Sequence, residues 1–446
     1  MDCGLIGFPL AQSFSPEIHR AIAAHTQPYS YELHPLAPQD LDSFMRSADF
    51  RGINVTIPHK RAVLAFLNDM SQAVAQTGTC NTIVRREGGL YGENTDISGL
   101  TMDIEHAGIS LAGARVMILG TGGTAHTAAY VAHAAGARSV VFVSRTPERH
   151  QPVEQRSLSR QHSEQQVMLE GSAAQYLSYM QAEESGDEVD VLINATPCGM
   201  YPDVDDVPVD IDHFPHLTGV VDVIYSPLRS RLVLAAAERG IRVATGLRML
   251  VGQAISAASL FLRTEISQDA ARTITDTVWR SKANIVLIGM PGVGKTTQGH
   301  AIADALGRTC IDIDEEIEAR EGMSVRSVFD RKGEAYFRQK EAELVAELST
   351  RNGIVIACGG GTVLRHESVR RLKVNGKLFL LDRPLDTFVV SDTRPLADSR
   401  AKLAALEAER MPLYRSVADA VVEESAHPED TTANFVKRWA GESAPC

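Results

Sequence analysis

The sequence contains no apolar run approaching the ~20 residues that a membrane-spanning helix needs, so a membrane protein is not predicted. Its start, MDCGLIGFPL, has no basic stretch ahead of an apolar core, so a secretory signal is not expected. Only 6 of 446 residues are cysteine, and they are scattered without a close pair, which favours reduced thiols in a cytoplasmic protein over a disulfide or zinc framework. The net charge of -12 opposes general nucleic-acid binding, so nucleic acid is not an expected partner.

What the chain does contain is typical of globular protein: 44% of its residues are hydrophobic and 22% are charged. Its length predicts about three compact units. Apolar strand-like runs alternate with helical patterns, which indicates parallel α/β folding. A strand followed by glycines occurs at 116–123, 284–297 and 354–362. Two of these segments have phosphate-type loops, so we expect two nucleotide sites. The polar stretch 264–282 predicts a closing helix, and the polar stretch 148–188 predicts a surface excursion.

The first glycine loop has the pattern of a dinucleotide site. ARVMILGTGGTAHTAAYVAHAAG predicts a strand, a tight turn and a helix, and Gly120, Gly122 and Gly123 would let a pyrophosphate approach the helix N-terminus. A turn with a purely structural role is the alternative. The next strand ends in SRT at 144–146, where an NAD site would carry a carboxylate. A cation and hydroxyls suit a 2′-phosphate, so NADP is predicted.

Residues 52–60 (GINVTIPHK) have the alternation of a strand. Ile53, Val55 and Ile57 alternate with Asn54 and Thr56. The period of two predicts that the apolar side chains are buried and that both polar side chains lie on the opposite face.

A lysine and a carboxylate near this strand suit the reduction of a ketone. Lys60 is predicted in the first helical turn after the strand, and Asp96 follows in GENTDISG. Hydride transfer to a ketone needs a donor for the developing alkoxide, which a lysine steered by a carboxylate supplies. Ser13, Ser15 and Asn81 add further polar groups within the first hundred residues. The alternatives are a solvated helix lysine and polar residues that act only as caps or turns.

Taken together, these motifs resemble shikimate dehydrogenase over most of residues 1–275. Ser-x-Ser-Pro, Asn-x-Thr with its lysine, Asn-Thr, Asn-Thr-Asp, the glycine turn, INATPCGM (193–200), DVIYSP (222–227) and GLRMLVGQA (246–254) occur in the family's order. The resemblance implies reversible NADPH-dependent reduction of 3-dehydroshikimate to shikimate, with Lys60 and Asp96 as catalytic residues. The substrate-binding residues that it implies are Ser13, Ser15, Asn54, Thr56, Lys60, Asn81, Asp96, Tyr225 and Gln253. The NADP(H)-binding residues that it implies are Gly120, Thr121, Gly122, Gly123, Thr124, Ser144, Arg145, Thr146, Val223 and Gly246.

Two positions depart from this family. Gln12 stands where members often have histidine, and Ser144 stands where asparagine is usual. Oxidation of quinate as well as shikimate remains an alternative for this half of the chain.

The second glycine loop, GMPGVGKTT (289–297), has Walker A spacing after a strand. Lys295 and the loop amides would surround phosphates, and Thr296 would ligate Mg²⁺. Asp312 and Asp314 follow at a predicted strand end, where the period of two places both on one face. One would reach the water shell of the metal while the other orients an attacking hydroxyl. The alternative is that Asp314 caps the next helix.

Residues 284–425 resemble shikimate kinase in five ordered motifs: Walker A, Asp-x-Asp, Gly-Glu-x-x-Phe-Arg, Gly-Gly-Gly, and Arg-Pro-Leu followed by Arg-x-Pro-Leu-Tyr. The resemblance implies ATP-dependent phosphorylation of the shikimate 3-hydroxyl, with Lys295 and Asp314 as catalytic residues. Its implied ATP-binding residues are Gly292, Val293, Gly294, Lys295, Thr296, Thr297 and Arg394. Its implied shikimate-binding residues are Asp314, Arg338, Gly360 and Arg410, and its Mg²⁺ ligands are Thr296 and Asp312.

The lid DTFVVSDTRPLAD is short and lacks an arginine that many relatives carry upstream, which leaves open whether Arg383 or Arg400 replaces it. A sensor of ATP or shikimate without catalysis is one alternative for this half, and a kinase for another sugar acid is a second.

The predicted fold is α/β throughout: an N-terminal α/β substrate domain, a Rossmann NADP domain and a P-loop domain like the nucleoside-monophosphate kinases. The predicted boundaries are 1–100 for the substrate domain, completed by 246–280, then 101–245 for the Rossmann domain and 283–446 for the P-loop domain. Both halves are expected to bind the same small carboxylated polyol, so we predict a bifunctional enzyme of the shikimate pathway.

Overall fold

The computed structural model describes residues 2–10, 13–47, 49–149, 175–384, 400–423 and 427–445. Gln12, Arg394 and residues 150–174 of the predicted surface excursion lie outside these ranges. The described residues divide into two compact units, one within 1–226 and 230–278 and the other within 227–229 and 279–445. In these described ranges, no helix combines the length and apolar character needed to cross a membrane.

The first unit begins with a mixed six-stranded sheet in the order β2-β1-β3-β5-β6-β4. Its strands are β1 Cys3–Gly7, β2 Tyr31–Pro35, β3 Gly52–Val55, β4 Asp69–Met70, β5 Thr82–Arg86 and β6 Gly89–Glu93. The helices of this region are α1 Ser15–His25, α2 Leu41–Ser47, α3 Gln72–Thr77 and α4 Asp96–His106. Every residue of β1 and β3 is buried, which is why these strands are nearly continuous apolar runs.

Two details of residues 52–60 differ from the sequence prediction. The strand stops at Val55, so Ile57 is 73% exposed while Asn54 is buried at 5% exposure. Lys60 lies in the turn that leads into the 3₁₀ helix Ala62–Phe66, and not inside a regular α-helix. The Lys60 carbonyl oxygen accepts a hydrogen bond from the distant amide of Cys80 at 2.9 Å.

The second sheet is parallel, with the order β12-β11-β10-β7-β8-β9. Its strands are β7 Arg115–Leu119, β8 Ser139–Val143, β9 Gln175–Leu177, β10 Val191–Asn194, β11 Gly219–Asp222 and β12 Arg242–Thr245. Read from β9, this is the 3-2-1-4-5-6 order of dinucleotide-binding sheets, whose ligands bind where the order reverses, between β7 and β10. The helices after β7 and β9, and the one before β12, are α5 Gly123–Ala134, α6 Tyr179–Glu184 and α7 Arg231–Glu238.

The chain then returns to the first sheet through α8 Gly246–Leu262, followed by α9 Gln268–Lys282. Phe261 of α8 packs so closely on β3 that a Cβ added to Gly52 would lie 2.1 Å from its ring. Cys3, Val84, Ala257, Phe261 and Leu262 form one buried cluster there. The return of α8 therefore completes the region around the first sheet.

The second unit contains a parallel sheet with the order β14-β15-β13-β16-β17. Its strands are β13 Asn284–Ile288, β14 Cys310–Asp312, β15 Val355–Ala357, β16 Gly376–Asp382 and β17 Ala420–Glu423. Its helices are α10 Lys295–Leu306, α11 Ile313–Glu321, α12 Val325–Lys332, α13 Glu334–Leu348, α14 His366–Asn375, α15 Arg400–Val417 and α16 Pro428–Ala440. The predicted α/β fold class is confirmed, since parallel α/β sheets form both nucleotide-type regions. The predicted domain boundaries stay a prediction.

Candidate active sites

Lys60 and Asp96 form a short ion pair in the first unit. Lys60 Nζ lies 2.5 Å from Asp96 Oδ2, and the two side chains are 19% and 11% exposed. Asp96 is the first residue of α4, so its carboxylate sits at the positive end of that helix. Asn81 Nδ2 donates to Asp96 Oδ1 at 2.8 Å. One carboxylate oxygen therefore holds the ammonium group while the other is oriented by an amide.

Gln253 reaches this pair because α4 and α8 cross at two glycines. A Cβ on Gly252 would lie 2.9 Å from Gly99 Cα, and a Cβ on Gly99 would lie 2.3 Å from the Met249 carbonyl oxygen. This close approach lets Asn81 Nδ2 donate to Gln253 Oε1 at 3.5 Å. The structure thus brings together four of the predicted substrate residues, which are far apart in sequence.

Asn54 is hydrogen-bonded within the protein itself. Its Oδ1 accepts from the Tyr31 hydroxyl at 2.8 Å, and its Nδ2 donates to Thr82 Oγ1 at 3.0 Å. The Tyr31 ring is stacked on His19, with ring centroids 3.6 Å apart. Burial lowers the pKa of His19 to about 3, so this ring is neutral. Both ends of the Asn54 amide therefore have partners within the protein.

The serine turn meets Tyr225 through the phenylalanine between the two serines. Ser13 Oγ accepts from the Ser15 amide at 3.2 Å, and Phe14 packs edge-on against Tyr225 with ring centroids 5.2 Å apart. Burial raises the pKa of the Tyr225 phenol, which keeps it a neutral donor. Thr56 lies on the wall of the neighbouring cavity together with Lys60.

That cavity, of about 1370 Å³, lies at the carboxyl ends of β7 and β10. The predicted cofactor residues that line it are Gly120, Thr121, Gly122, Gly123, Thr124, Ser144, Arg145 and Thr146. Gly120 has φ +105°, a conformation that favours glycine, and a Cβ on Gly122 would meet no atom within 4 Å. The backbone at Gly122 therefore leaves room for a ligand, and the positive end of α5 adjoins it.

The residues present fit a nicotinamide dinucleotide with a 2′-phosphate. Arg145 lines the cavity, and sequence reasoning missed two further arginines that do so, Arg149 and Arg61. Arg149 follows Arg145 by four residues, a spacing that was visible in SRTPER. Val223 and Gly246 are not among the lining residues; they lie against each other, since a Cβ on Gly246 would be 2.1 Å from the Val223 carbonyl oxygen.

In the second unit, the glycine loop runs from β13 into α10, which begins at Lys295. Lys295 is 8% exposed, and its Nζ donates to the carbonyl oxygens of Gly289 and Met290 at 2.9 and 3.0 Å. Gly292 and Gly294 have positive φ, and Val293 is buried. The loop is thus folded as a phosphate cradle whose lysine is held by the loop's own carbonyls. Thr297 is exposed on the first turn of α10.

Asp312 and Thr296 make a set of hard oxygens beside this loop. Thr296 Oγ1 donates to Asp312 Oδ2 at 2.6 Å, and Asp312 Oδ1 caps α11 by accepting from the amides of Asp314 and Glu315. A hydroxyl and a carboxylate in contact fit Mg²⁺, which prefers oxygen ligands. The strand-face prediction was wrong for Asp314, because β14 ends at Asp312 and Asp314 lies in the first turn of α11. The helix cap is also Asp312, and not Asp314.

Asp314 is a buried carboxyl group surrounded by other charged groups. Burial, together with the nearby carboxylates of Asp312 and Glu341, raises its pKa to about 7, against the opposing effect of Lys295 and Arg338. A carboxyl group with a pKa near neutrality can exchange a proton at physiological pH. The structure therefore places a buried carboxyl group with a raised pKa close to Lys295 of the phosphate cradle.

Arg338 lies over the three glycines that follow β15. A Cβ on Gly361 would lie 2.3 Å from its guanidinium, and a Cβ on Gly359 would lie 2.8 Å from Asp314 Oδ1. Side chains at these two positions would therefore displace site residues. Glu341, which sequence reasoning missed, accepts from Arg338 Nη1 at 2.9 Å and is only 4% exposed. The signal for Glu341 was its position three residues after Arg338 on one helix.

Arg410 joins the same group from α15. Its Nη1 donates to the Gly360 carbonyl oxygen at 3.1 Å, and the Tyr414 hydroxyl donates to that oxygen as well. Arg410 is 6% exposed, and its Nε has no hydrogen-bond partner among the described residues. Two buried or half-buried guanidinium groups, Arg338 and Arg410, thus converge near Gly360 and suit a carboxylate ligand.

The N-terminal part of the chain is similar to shikimate dehydrogenases. The enzyme "Shikimate dehydrogenase (NADP(+))" of Moorella thermoacetica is 34% identical over 295 residues, which cover 65% of this chain and 96% of that protein. Residues 5–83 match the family model "Shikimate dehydrogenase substrate binding domain". The chain belongs to the shikimate dehydrogenase family.

Two solved structures agree with this family membership. A chorismate mutase/shikimate 5-dehydrogenase fusion protein from Clostridium acetobutylicum is 28% identical, with a TM-score of 0.54 over 61% of this chain and 95% of that one. Shikimate 5-dehydrogenase from Thermus thermophilus, in complex with NADP(H) and shikimate, is 28% identical, with a TM-score of 0.51 over 62% of this chain and 98% of that one. The C-terminal part is different: residues 291–440 match the family model "Shikimate kinase" and form a shikimate kinase domain.

In the kinase domain, the lid prediction falls partly outside the described residues, because Arg394 lies there. Of the two arginines considered as replacements for a missing lid arginine, Arg383 contacts the Walker A loop: its Nη2 donates to the Gly292 carbonyl oxygen at 3.0 Å. Arg400 is exposed at the start of α15. The geometry thus favours Arg383 as the arginine near the nucleotide loop.

In the dehydrogenase unit, Asp222 is a buried residue that sequence reasoning missed. Its carboxylate accepts from Asn194 Nδ2 at 3.1 Å and from Ser230 Oγ at 2.5 Å. Burial raises the pKa of Asp222 to about 6. Asn194 Oδ1 in turn accepts from Thr196 Oγ1 at 2.7 Å, so this network shapes the loop that forms one wall of the cavity.

Proposed function

We infer that this chain catalyses two consecutive reactions: NADPH-dependent reduction of 3-dehydroshikimate to shikimate, and ATP-dependent phosphorylation of shikimate to shikimate 3-phosphate. The observation that carries the inference is the Lys60–Asp96 pair, 2.5 Å apart, with Lys60 on the wall of the 1370 Å³ cavity. Membership of the dehydrogenase family and the kinase domain at residues 291–440 support it.

In the proposed reduction, NADPH supplies the hydride. The Lys60 ammonium group would then stabilise the negative charge that develops on the ketone oxygen and supply its proton, while Asp96 orients the lysine. Asn81 and Gln253 would hold substrate hydroxyls, since their amides already meet at this point. Ser13, Ser15 and Tyr225 would bind the carboxylate and hydroxyls on the other side. Arg145 and Arg149 would bind the 2′-phosphate.

In the proposed phosphorylation, bound Mg²⁺ would neutralise charge on the ATP phosphates and would be held through Thr296 and Asp312. The Lys295 ammonium group would give up its hydrogen bonds to the loop carbonyl oxygens and donate to phosphate oxygens instead. Asp314 would accept the proton of the attacking 3-hydroxyl. The guanidinium groups of Arg338 and Arg410 would hold the shikimate carboxylate, because both lie near Gly360.

One coupled assay tests both activities together. Purified protein is mixed with 3-dehydroshikimate, NADPH, ATP and Mg²⁺, and the final organic product is identified by mass. We expect shikimate 3-phosphate, with stoichiometric NADP⁺ and ADP. Accumulation of shikimate alone would refute the kinase activity. The dehydrogenase activity would be refuted by a protein that leaves 3-dehydroshikimate unchanged but phosphorylates shikimate when shikimate is added directly.

Two further assignments remain proposals. We propose a substrate domain of residues 1–100 completed by 246–280, a Rossmann domain of residues 101–245 and a kinase domain of residues 283–446. The three sheets support this division, because they lie within 3–93, 115–245 and 284–423. We also propose a cytoplasmic location, which the thiols support: Cys3, Cys80, Cys198, Cys310 and Cys358 are all unpaired.

A further inference from the structure

Three threonine hydroxyls surround one buried asparagine in the dehydrogenase unit. Asn94 Nδ2 lies 3.1 Å from Thr77 Oγ1, 3.1 Å from Thr79 Oγ1 and 3.3 Å from Thr127 Oγ1. All four side chains are nearly inaccessible, with exposures of 1% to 3%. We call these four residues the threonine cluster.

Each threonine hydroxyl of the threonine cluster donates its proton to an oxygen other than those of Asn94. Thr77 Oγ1 donates to the Ala73 carbonyl oxygen at 2.8 Å, Thr79 Oγ1 donates to Thr77 Oγ1 at 3.2 Å, and Thr127 Oγ1 donates to the Gly123 carbonyl oxygen at 3.2 Å. Because each hydroxyl proton is used in this way, the hydroxyls meet Asn94 as acceptors. The Asn94 amide group therefore depends on these oxygens to satisfy its donors in a site without solvent.

The threonine cluster joins the segments that carry Asn81 and Asp96 to the helix that follows the dinucleotide loop. Asn94 stands two residues before Asp96, and Thr79 stands two residues before Asn81. Thr127 belongs to α5, the helix that begins at the dinucleotide loop. Thr79 also lines the cofactor cavity and lies against that loop, since a Cβ on Gly123 would be 3.2 Å from its methyl group.

We propose that the threonine cluster is a positioning device for hydride transfer: it fixes the cofactor helix α5 relative to the Lys60–Asp96 pair. Thr127 is its key positioning residue, because its hydroxyl links the first turn of α5, at Gly123, to the asparagine beside the catalytic segment. The inference rests on the proposed dehydrogenase activity and deepens it. Thr127 itself does not line the cavity, so its effect is on geometry and not on direct contact with the cofactor.

The physical reason is the sensitivity of hydride transfer to distance. Removing the Thr127 hydroxyl takes away one of the three oxygens within hydrogen-bond distance of Asn94 Nδ2 and, with it, one link between α5 and the Asn94–Asp96 segment. A misplacement of ~1 Å between donor and acceptor can slow a reaction ~100-fold while each substrate still binds to its own residues. The predicted defect therefore falls on the chemical step.

The test compares Thr127→Val with Thr127→Ser in the full chain. Valine keeps the branched shape and removes the hydroxyl, whereas serine keeps the hydroxyl and removes the methyl group. For Thr127→Val we expect dehydrogenase kcat to fall ~10-fold or more, with the KM for NADPH changed less than ~2-fold. The primary isotope effect on kcat with NADPH deuterated at the transferred position should increase. Thr127→Ser should retain most of the activity, and ADP release by the kinase should stay unchanged in both variants.

Several results would overturn the proposal. These are a Thr127→Val enzyme with unchanged kcat and isotope effect, one in which only the KM for NADPH rises, and a Thr127→Ser enzyme as impaired as the valine variant. Thermal unfolding and kinase activity report whether the variants fold; if valine prevents folding, Thr127→Ala replaces it with the same expectations. Failure of the unaltered protein to oxidise NADPH with 3-dehydroshikimate would instead refute the proposed activity itself.

Discussion

Among single residues, Asp314 is the one whose protonation most directly controls the proposed kinase reaction. Its pKa is raised to about 7, chiefly by burial and further by Asp312 and Glu341. Below that pH the carboxyl group is protonated and cannot accept the hydroxyl proton. We therefore expect kinase kcat/KM for shikimate to rise ~10-fold per pH unit below 7 and to level off above it, measured as ADP release between pH 5.5 and 8.5.

Asp314→Asn is the control for this pH profile. It should lower kinase turnover strongly and remove the rise near pH 7, while NADPH oxidation by the same preparation stays at the unaltered level. A pH dependence near 7 that persists in Asp314→Asn would assign it to another group.

Arg383 offers a second test at the residue scale. Its guanidinium donates to the Gly292 carbonyl oxygen of the Walker A loop. Arg383→Lys removes the planar fork while keeping the charge. The lost hydrogen bond stabilises the loop by about 1 kcal/mol, so we expect the KM for ATP to be ~5-fold higher, measured by ADP release at saturating shikimate.

Arg400→Lys is the matched control, because Arg400 is exposed at the start of α15. We expect its KM for ATP to stay at the unaltered value. An equal rise in both variants would contradict a specific role of Arg383 at the nucleotide loop.

At the scale of elements, the crossing of α4 and α8 positions the dehydrogenase site. Asp96 begins α4 and Gln253 lies on α8, beside the contact between Gly99 and Gly252. Gly252→Val would push the helices apart, because even its Cβ would lie 2.9 Å from Gly99 Cα. We expect ~1–3 kcal/mol lower free energy of unfolding, measured by denaturant titration, and at least ~10-fold lower dehydrogenase kcat/KM.

Gly88→Ala is the control for this substitution, since a Cβ at Gly88 would meet no atom within 4 Å. It should leave stability and activity unchanged. If Gly252→Val kept the stability and kcat/KM of the unaltered protein, the glycine crossing would not be what brings Gln253 to Asn81.

At the scale of the whole molecule, the product of the first proposed reaction is the substrate of the second. One chain then supplies both activities in equal amounts. Fusion by itself does not show channelling, because a small product diffuses away quickly. The fusion predicts that dehydrogenase activity depends on Lys60 and that kinase activity depends on Lys295.

Lys60→Ala should therefore lower NADPH oxidation ~100- to 1,000-fold and leave ADP release nearly intact. Lys295→Ala should do the reverse, because it removes the charge at the phosphate cradle while the Lys60–Asp96 pair remains. Both rates are measured on the same preparations, with thermal unfolding as a check of folding. Loss of both activities in either folded variant would contradict two separate sites.

Much of this protein was determined by sequence alone. The glycine loops and the strand before each predicted the α/β class, which the structure confirms, and two nucleotide-type sites, because a phosphate loop needs a local pattern of strand, glycine and helix. The Lys60–Asp96 pair was also predicted, from the chemistry of the motifs and the family resemblance, and the structure shows it.

Only the tertiary structure decided how distant segments meet. The position at which a strand ends decides the exposure of Ile57, the turn at Lys60 and the helical position of Asp314. Hydrogen bonds to remote or capping groups set those strand ends. Asp222 and the threonine cluster acquire their roles from neighbours that are far away in the chain or on another element. Local periodicity carries no information about such contacts, because the packing of helices and sheets creates them.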